Sequence, residues 1–156
     1  MNFDLNTFFR KKILIYGLGK SGISAYEFLK KDNKVFLYDD FKTKSKNLKL
    51  KKNLISYKKI LKSNFDYVII SPGIDLNKCK LSNFLKKNLS KIFSDLDVFY
   101  TFYKNSCITI TGTNGKSTTC KLLYEIFKDQ KFDVKLVGNI GNPILTTKNI
   151  KKKTIF

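Results

Sequence analysis

Short apolar runs alternate with amphipathic stretches along most of this chain, the pattern of strands joined by helices. Ile13 to Tyr16 in "KILIYG" form an unbroken apolar run closed by glycine, as a strand buried on both faces does at its carboxyl end. In "SGISAYEFLKKDN", Ile23, Tyr26, Phe28 and Leu29 fall near helical spacing, and "KDN" supplies a stop. "KVFLYDD" reads as the next strand and completes one βαβ unit. The stretch from Phe41 to Lys52 is polar and lysine-rich, and an exposed loop is expected there. "NLISYKKILKSN" fits a short strand or a short helix equally. Tyr67 to Ile70 form a strand stopped by Pro72 and Gly73. Beyond them, "KCKLSNFLKKN" reads as a helix, "KIFS" as a short edge strand and "DLDVFYTFYK" as a helix. "SCITITG" and "FDVKLVG" read as strands on either side of a helix, "KSTTCKLLYEIFKDQ". The whole is an α/β fold with parallel sheets. Glycine-rich loops at Gly17 and Gly112 each follow what reads as a first strand, so two nucleotide-type units are expected, residues 1–94 and 95–156, with the boundary near Ser94.

Composition narrows the function classes. With 156 residues, 42% of them hydrophobic, the chain can build one ordinary core or two small ones. A net charge of +19 raises nucleic acid or anionic membrane as a partner. However, all but one of the 31 basic residues are lysines, Arg10 being the exception, whereas recognition of phosphates and base edges favours arginine forks. The charge therefore reads as a solvated lysine-rich surface, with no nucleic-acid or membrane partner expected. Cys79, Cys107 and Cys120 have no CxxC spacing and the chain has no histidine, which disfavours a structural metal site. No leader-like segment and no apolar run of membrane-spanning length is visible, so a soluble, reducing, cytoplasmic setting is expected.

Two motifs carry chemistry. "GLGKSG" is GxGxxG, with Gly17, Gly19 and Gly22 between a strand and a helix, where backbone N–H groups at the helix start can face an anion. Asp39 ends the following strand, as a ribose-binding acid does in dinucleotide units, but the motif alone does not say which ligand is bound. "GTNGKST" is more specific. Gly112 and Gly115 let the loop curl so that N–H groups converge on phosphate oxygens, Lys116 would reach the terminal phosphates, and Ser117 can offer a hydroxyl to Mg²⁺. The usual phosphate-loop spacing demands a glycine at position 110, where this chain has Ile110.

"TGTNGKST" resembles the ATP-binding loop of the Mur ligases and their folylpolyglutamate synthetase relatives, whose version lacks that glycine. "YGLGKSG", "VIISPGI", "SDLDVFY", "TGTNGKST" and "VGNIGNPIL" follow one another as in the branch that adds D-glutamate to UDP-N-acetylmuramoyl-L-alanine. The resemblance covers about residues 12 to 147. It implies a Rossmann-like domain that binds the UDP of a nucleotide sugar, not NAD, followed by the start of a phosphate-loop ATP-binding domain. Gly19, Lys20, Ser21 and Gly22 become candidates for the diphosphate, Ser71, Pro72, Gly73 and Ile74 for the UDP site, and Asn139 for the active-site loop near the substrate. Gly112, Thr113, Asn114, Gly115, Lys116, Ser117 and Thr118 would hold ATP, with Lys116 catalytic and Ser117 on Mg²⁺. Phe41 departs from the pattern, standing where a basic residue is expected. The implied reaction is ATP-dependent amide formation through an acyl phosphate, in peptidoglycan precursor synthesis, by a monomeric enzyme. "GLGKSG" near the start of the chain argues against a folate ligase, which begins with the ATP domain. The family's second Mg²⁺-binding Glu, its His, its carbamylated Lys and its amino-acid-binding domain are expected beyond Phe156, so the chain is expected to bind UDP-sugar weakly and not to turn over.

Overall fold

The computed structural model describes residues 5–41, 48–138 and 140–156. Four parallel strands, β1 (Lys12–Tyr16), β2 (Lys34–Tyr38), β3 (Tyr67–Ile70) and β4 (Ile92–Phe93), form one sheet in the order β2-β1-β3-β4. Helix α1 (Lys20–Leu29) joins β1 to β2, and the chain then crosses back over β1 through α2 (Leu48–Lys51) and α3 (Tyr57–Leu61) to reach β3. Helices α4 (Ser82–Lys87), α5 (Asp95–Phe102) and α6 (Lys116–Asp129) follow.

Period-two alternation sends the strand side chains to two separate cores. Ile13, Ile15, Val35, Leu37, Ile69 and Phe93 pack on one face with Ala25, Tyr26 and Leu29 of α1 and Val98 and Phe99 of α5. Leu14, Tyr16, Tyr38 and Val68 pack on the other with Ile60 of α3, Phe65, Leu81 and Leu85 of α4. The sheet is thus covered on both faces, which is why its strands read as continuous apolar runs.

Local chemistry sets the ends of the elements. The Asn33 side chain donates to the carbonyls of Leu29 (2.9 Å) and Phe8 (3.0 Å) and accepts from the Lys11 backbone, so the expected stop after α1 is built by that asparagine. Ser94 caps α5, its hydroxyl accepting from the Asp97 N–H while the Asp97 carboxylate accepts from the Ser94 N–H, a reciprocal capping box. Ile144, Leu145 and Phe156 enter the first core, so one apolar cluster joins residues from both sides of the expected boundary near Ser94.

Two sequence expectations are corrected and one left open is resolved. The exposed loop expected from Phe41 to Lys52 contains one helical turn, α2, and Leu50 is buried in the first core; residues 42–47 lie outside the described residues. "NLISYKKILKSN", open between strand and helix, forms the helix α3, preceded at Leu54 by an isolated parallel bridge to Leu37. "SCITITG" and "FDVKLVG" are not strands. Their pairing is limited to isolated contacts: Ile155 bridges Val134, Ile155 and Phe156 exchange backbone hydrogen bonds with Ser106, Ile108, Asp133 and Lys135, and Val137 bridges Asn142. An apolar run becomes a strand only where a neighbour accepts its hydrogen bonds over several residues, and here the shared partner is two residues wide.

Candidate functional site: a three-loop cleft and a separate phosphate loop

In the order β2-β1-β3-β4 the direction of winding reverses between β1 and β3, and ligands of open parallel sheets bind outside the carboxyl ends of the strands at such a point. The loops leaving β1 and β3 are interlocked there. Gly17 has φ +96, and a Cβ on it would lie 2.8 Å from Cβ and Oγ of Ser71. The Ser71 hydroxyl donates to the Gly17 carbonyl at 2.9 Å. Gly22 lies under the same carbonyl, whose oxygen is 1.8 Å from where a Cβ on Gly22 would stand. Asp39 ties β2 into the arrangement, one carboxylate oxygen accepting from the Leu18 N–H at 2.7 Å and the other from the Phe41 N–H at 2.9 Å.

These loops line a cleft of about 530 Å³. Gly19, Lys20 and Ser21 contribute from the start of α1, Ser71, Pro72, Gly73 and Ile74 from the turn after β3, and Asp39, Asp40 and Phe41 from the end of β2. Gly138, Gly141 and Pro143 come in from far along the chain and complete the lining. The N-cap of α1 is Gly19, which makes no side-chain cap, so the first-turn N–H groups are available to an anion. Nothing lies within 4 Å of a Cβ built on Gly19 and its φ is an ordinary −74, so the chain itself does not require glycine there. The open space in front of it is on the cleft side, where a ligand can approach the backbone closely.

Of the UDP-site residues expected from sequence, Gly19, Lys20, Ser21, Ser71, Pro72, Gly73 and Ile74 are brought together. Gly22 is buried behind the loop and does not line the cleft. Asn139 lies outside the described residues. Sequence reasoning missed Gly17, Asp40, Gly138, Gly141 and Pro143 as cleft residues. The signal for the last three was the glycine-rich "GNIGNP" itself: Gly141 has φ +86 and a Cβ there would lie 2.5 Å from the Leu136 carbonyl oxygen, so that turn needs glycine.

Beneath the cleft lies a phenol pair. The Tyr16 hydroxyl donates to Oδ2 of Asp40 at 2.7 Å, and the Lys80 N–H reaches the same oxygen at 3.2 Å. Oδ1 of Asp40 is buried with no hydrogen-bond partner. Burial, then the Asp40 carboxylate, push the Tyr16 phenol well above its ordinary value. Burial and the nearby Asp40 charge push Tyr38 up to about 12. Both stay neutral at physiological pH. A further cavity of about 550 Å³, lined by Tyr38, Leu54, Ile55, Ser56, Tyr57 and Lys80, shares Asp39 with the cleft.

The second motif stands at the N-terminus of α6, fourteen residues long, where Gly115 with φ +77 is the N-cap without a side-chain cap. Gly112 has φ +144 and its Cβ position is unobstructed to 3.7 Å, so the loop curls by a conformation that L side chains rarely adopt. Lys116 folds back across this curl, its ammonium donating to the carbonyls of Gly112 and, at 3.1 Å, Thr113. A cation is thus held over uncapped helix N–H groups, a donor set suited to phosphate. Thr113, Asn114, Ser117 and Thr118 are exposed around it, and none of residues 112–118 lines the cleft.

Residues 11–92 match the Mur ligase MurD-like N-terminal domain. The chain belongs to the MurD-like Mur ligase family. Residues 110–155 match the Mur ligase middle domain, so the family's two matches fall on the two glycine loops separately. Among curated relatives, the UDP-N-acetylmuramoylalanine–D-glutamate ligase of Rickettsia felis is 36% identical over 151 residues, 94% of this chain and 33% of its own length. The proteins of the same name from Rickettsia prowazekii (38% over 148 residues, 92% of this chain and 33% of the relative) and Lachnoclostridium phytofermentans (40% over 148 residues, 87% and 32%) are similar. The chain therefore spans about a third of the length of the curated relatives it matches. The structure bears out the α/β reading with a parallel, Rossmann-like sheet, and the family match bears out the resemblance. No helix among the described residues is long and apolar enough to cross a membrane.

Proposed function

We propose that this chain carries the nucleotide-sugar cleft and the ATP phosphate loop of a cytoplasmic ligase that adds D-glutamate to UDP-N-acetylmuramoyl-L-alanine in peptidoglycan precursor synthesis. The observation that carries the reading is the cleft itself. It is built at the β1/β3 reversal from the two predicted UDP-binding loops and is completed by Gly138, Gly141 and Pro143 of the middle-domain match. A simple dinucleotide-binding unit has no reason to draw its cleft wall from a second nucleotide-binding segment. The Asp39 carboxylate, free to bind a ribose diol in the dinucleotide reading, is instead engaged by the N–H groups of Leu18 and Phe41.

In the proposed reaction the substrate carboxylate attacks the γ-phosphorus of ATP, forming an acyl phosphate and releasing ADP. The amine of D-glutamate then adds to the activated carbonyl, and phosphate leaves as the amide forms. Activation is needed because a carboxylate is a poor electrophile, and what this chain supplies is positioning and charge. Gly19, Lys20 and Ser21 hold the substrate diphosphate against the start of α1, fixing where the attached carboxylate can lie. Residues 112–118 cradle the ATP phosphates, with Lys116 neutralising the charge that spreads over the transferred group. Ser117, at the start of α6, would offer its hydroxyl to a Mg²⁺ otherwise held by phosphate oxygens and water. When bound, Mg²⁺ would screen the same phosphate charge.

Calorimetric titration of the chain with UDP-N-acetylmuramoyl-L-alanine, and separately with NADH, tests the cleft assignment. Saturable binding of the UDP-sugar that Lys20→Glu weakens, with none for NADH, is expected. NADH binding at the cleft, or no UDP-sugar binding, would overturn it.

A further inference from the structure

Phe41 is the most exposed large apolar side chain among the described residues, at 94% against 61% for the next, Leu122. It lines the cleft beside Asp39, Asp40 and Lys20. A free aromatic ring on a surface would be unremarkable on its own, but the backbone beneath this one is pinned from several sides. Asp39 accepts from the N–H of Phe41 and also from that of Leu18 in the glycine loop. Asp40, its neighbour, is held by the Tyr16 hydroxyl and by the Lys80 N–H, and its carbonyl accepts from the Lys80 ammonium at 3.3 Å. The ring thus makes few contacts of its own, while the turn that carries it is fixed to β1, the glycine loop and the segment after β3. A ring that is presented on a pinned backbone has already lost part of the entropy that binding would otherwise remove.

Within the reading of this cleft as a UDP-sugar site, on which the inference rests, we infer that Phe41 is the stacking platform for the nucleobase and sets a large part of the affinity for the nucleotide end of the substrate. The diphosphate is drawn to the uncapped first turn of α1, which leaves the base to be placed by the end of β2, where Phe41 is the available flat apolar surface. Every base has a π-face, so stacking secures the ring without reading its edges.

The test uses the 156-residue chain, which contains no tryptophan. Phe41→Trp therefore introduces a single indole at the platform. UDP is expected to quench its fluorescence saturably, while inorganic pyrophosphate, which lacks a base, should bind without that quench. Phe41→Ala and Phe41→Leu should both weaken UDP binding by roughly five- to a hundredfold, the scale of one base on one aromatic ring, leaving pyrophosphate affinity and the melting temperature unchanged. Phe41→Tyr should retain near-native affinity. If wild type binds UDP, but Phe41→Ala binds it equally and the indole is not quenched, the platform is refuted while the cleft assignment stands. If wild type does not bind UDP at all, both fall. Equal weakening of pyrophosphate and UDP by Phe41→Ala would also refute stacking, since it would mark a general change in the cleft.

Discussion

Gly19 and Gly22 belong to one motif, and replacing each by alanine should separate a ligand glycine from a packing glycine. A Cβ on Gly22 would sit 1.8 Å from the Gly17 carbonyl oxygen and 3.0 Å from both the Gly17 carbonyl carbon and Ser71 Oγ. The obstacle is backbone, so it cannot rotate away. Restoring even a 3.0 Å contact requires α1 and the loop after β1 to separate by about 1.2 Å, against a core in which Ala25 and Leu29 are packed on β1 and β2. Overpacking of this kind costs about 1–3 kcal/mol and occasionally more, with up to about 1 kcal/mol returned by alanine's better helix propensity. Gly22→Ala should therefore lower the urea-unfolding free energy by about 2 kcal/mol. Gly19→Ala meets nothing within 4 Å and keeps an ordinary φ; the entropy it removes from the unfolded chain offsets alanine's poorer N-capping, so stability should change by less than about 1 kcal/mol. Its methyl group stands in the cleft, and UDP-sugar affinity should fall by about tenfold, or about 1.4 kcal/mol. Urea melts and calorimetry of the two variants side by side decide the matter. A Gly22→Ala protein as stable as wild type, or a Gly19→Ala protein that unfolds early and binds UDP-sugar normally, would refute the division of labour.

Lys116→Met removes the ammonium held across the phosphate loop, and the dissociation constant for a non-hydrolysable ATP analogue should rise at least about tenfold, as for loss of a charged hydrogen bond; an unchanged constant would remove Lys116 from the nucleotide site. Tyr38 is held neutral up to about pH 12 in the folded chain but titrates near 10.0 when unfolded, so the stability it contributes is intact below pH 10 and is lost as pH rises toward 12. That loss should run at up to about 1.4 kcal/mol per pH unit between those limits, and Tyr38→Phe should flatten the alkaline fall measured by urea melts. Ser94→Ala deletes the capping box of α5 and should cost about 0.5–2 kcal/mol of stability with UDP-sugar affinity unchanged, since Ser94 does not line the cleft.

What could be read from the sequence, and what could not, follows the range of the interactions involved. β1, α1, β2 and β3 were legible because their signals are local: an apolar run flanked by glycine or by Asn33, whose cap acts on Leu29 four residues away. The turn at Leu48–Lys51 was illegible because two leucines two residues apart among lysines carry no helical periodicity, and only the tertiary fold shows Leu50 buried. The glycine loop could be recognised, but its three glycines looked alike. Gly17 is set by its positive φ and by Ser71, Gly22 by the carbonyl of Gly17, and Gly19 by nothing in the chain at all. The first two requirements are intramolecular and appear only when the second loop is in place. The third appears only as an unfilled space, which is the stronger pointer to a ligand. The same logic governs the far wall of the cleft. Gly138, Gly141 and Pro143 announce a turn locally, but their arrival beside Gly19 depends on Ile144 and Leu145 being buried in the first core against α1 and α5. It is hydrophobic burial of that short segment that brings a loop of the middle-domain match to the nucleotide-sugar cleft. Polar substitution of Ile144 or Leu145 should for that reason disturb substrate binding as well as stability, although neither side chain lines the cleft.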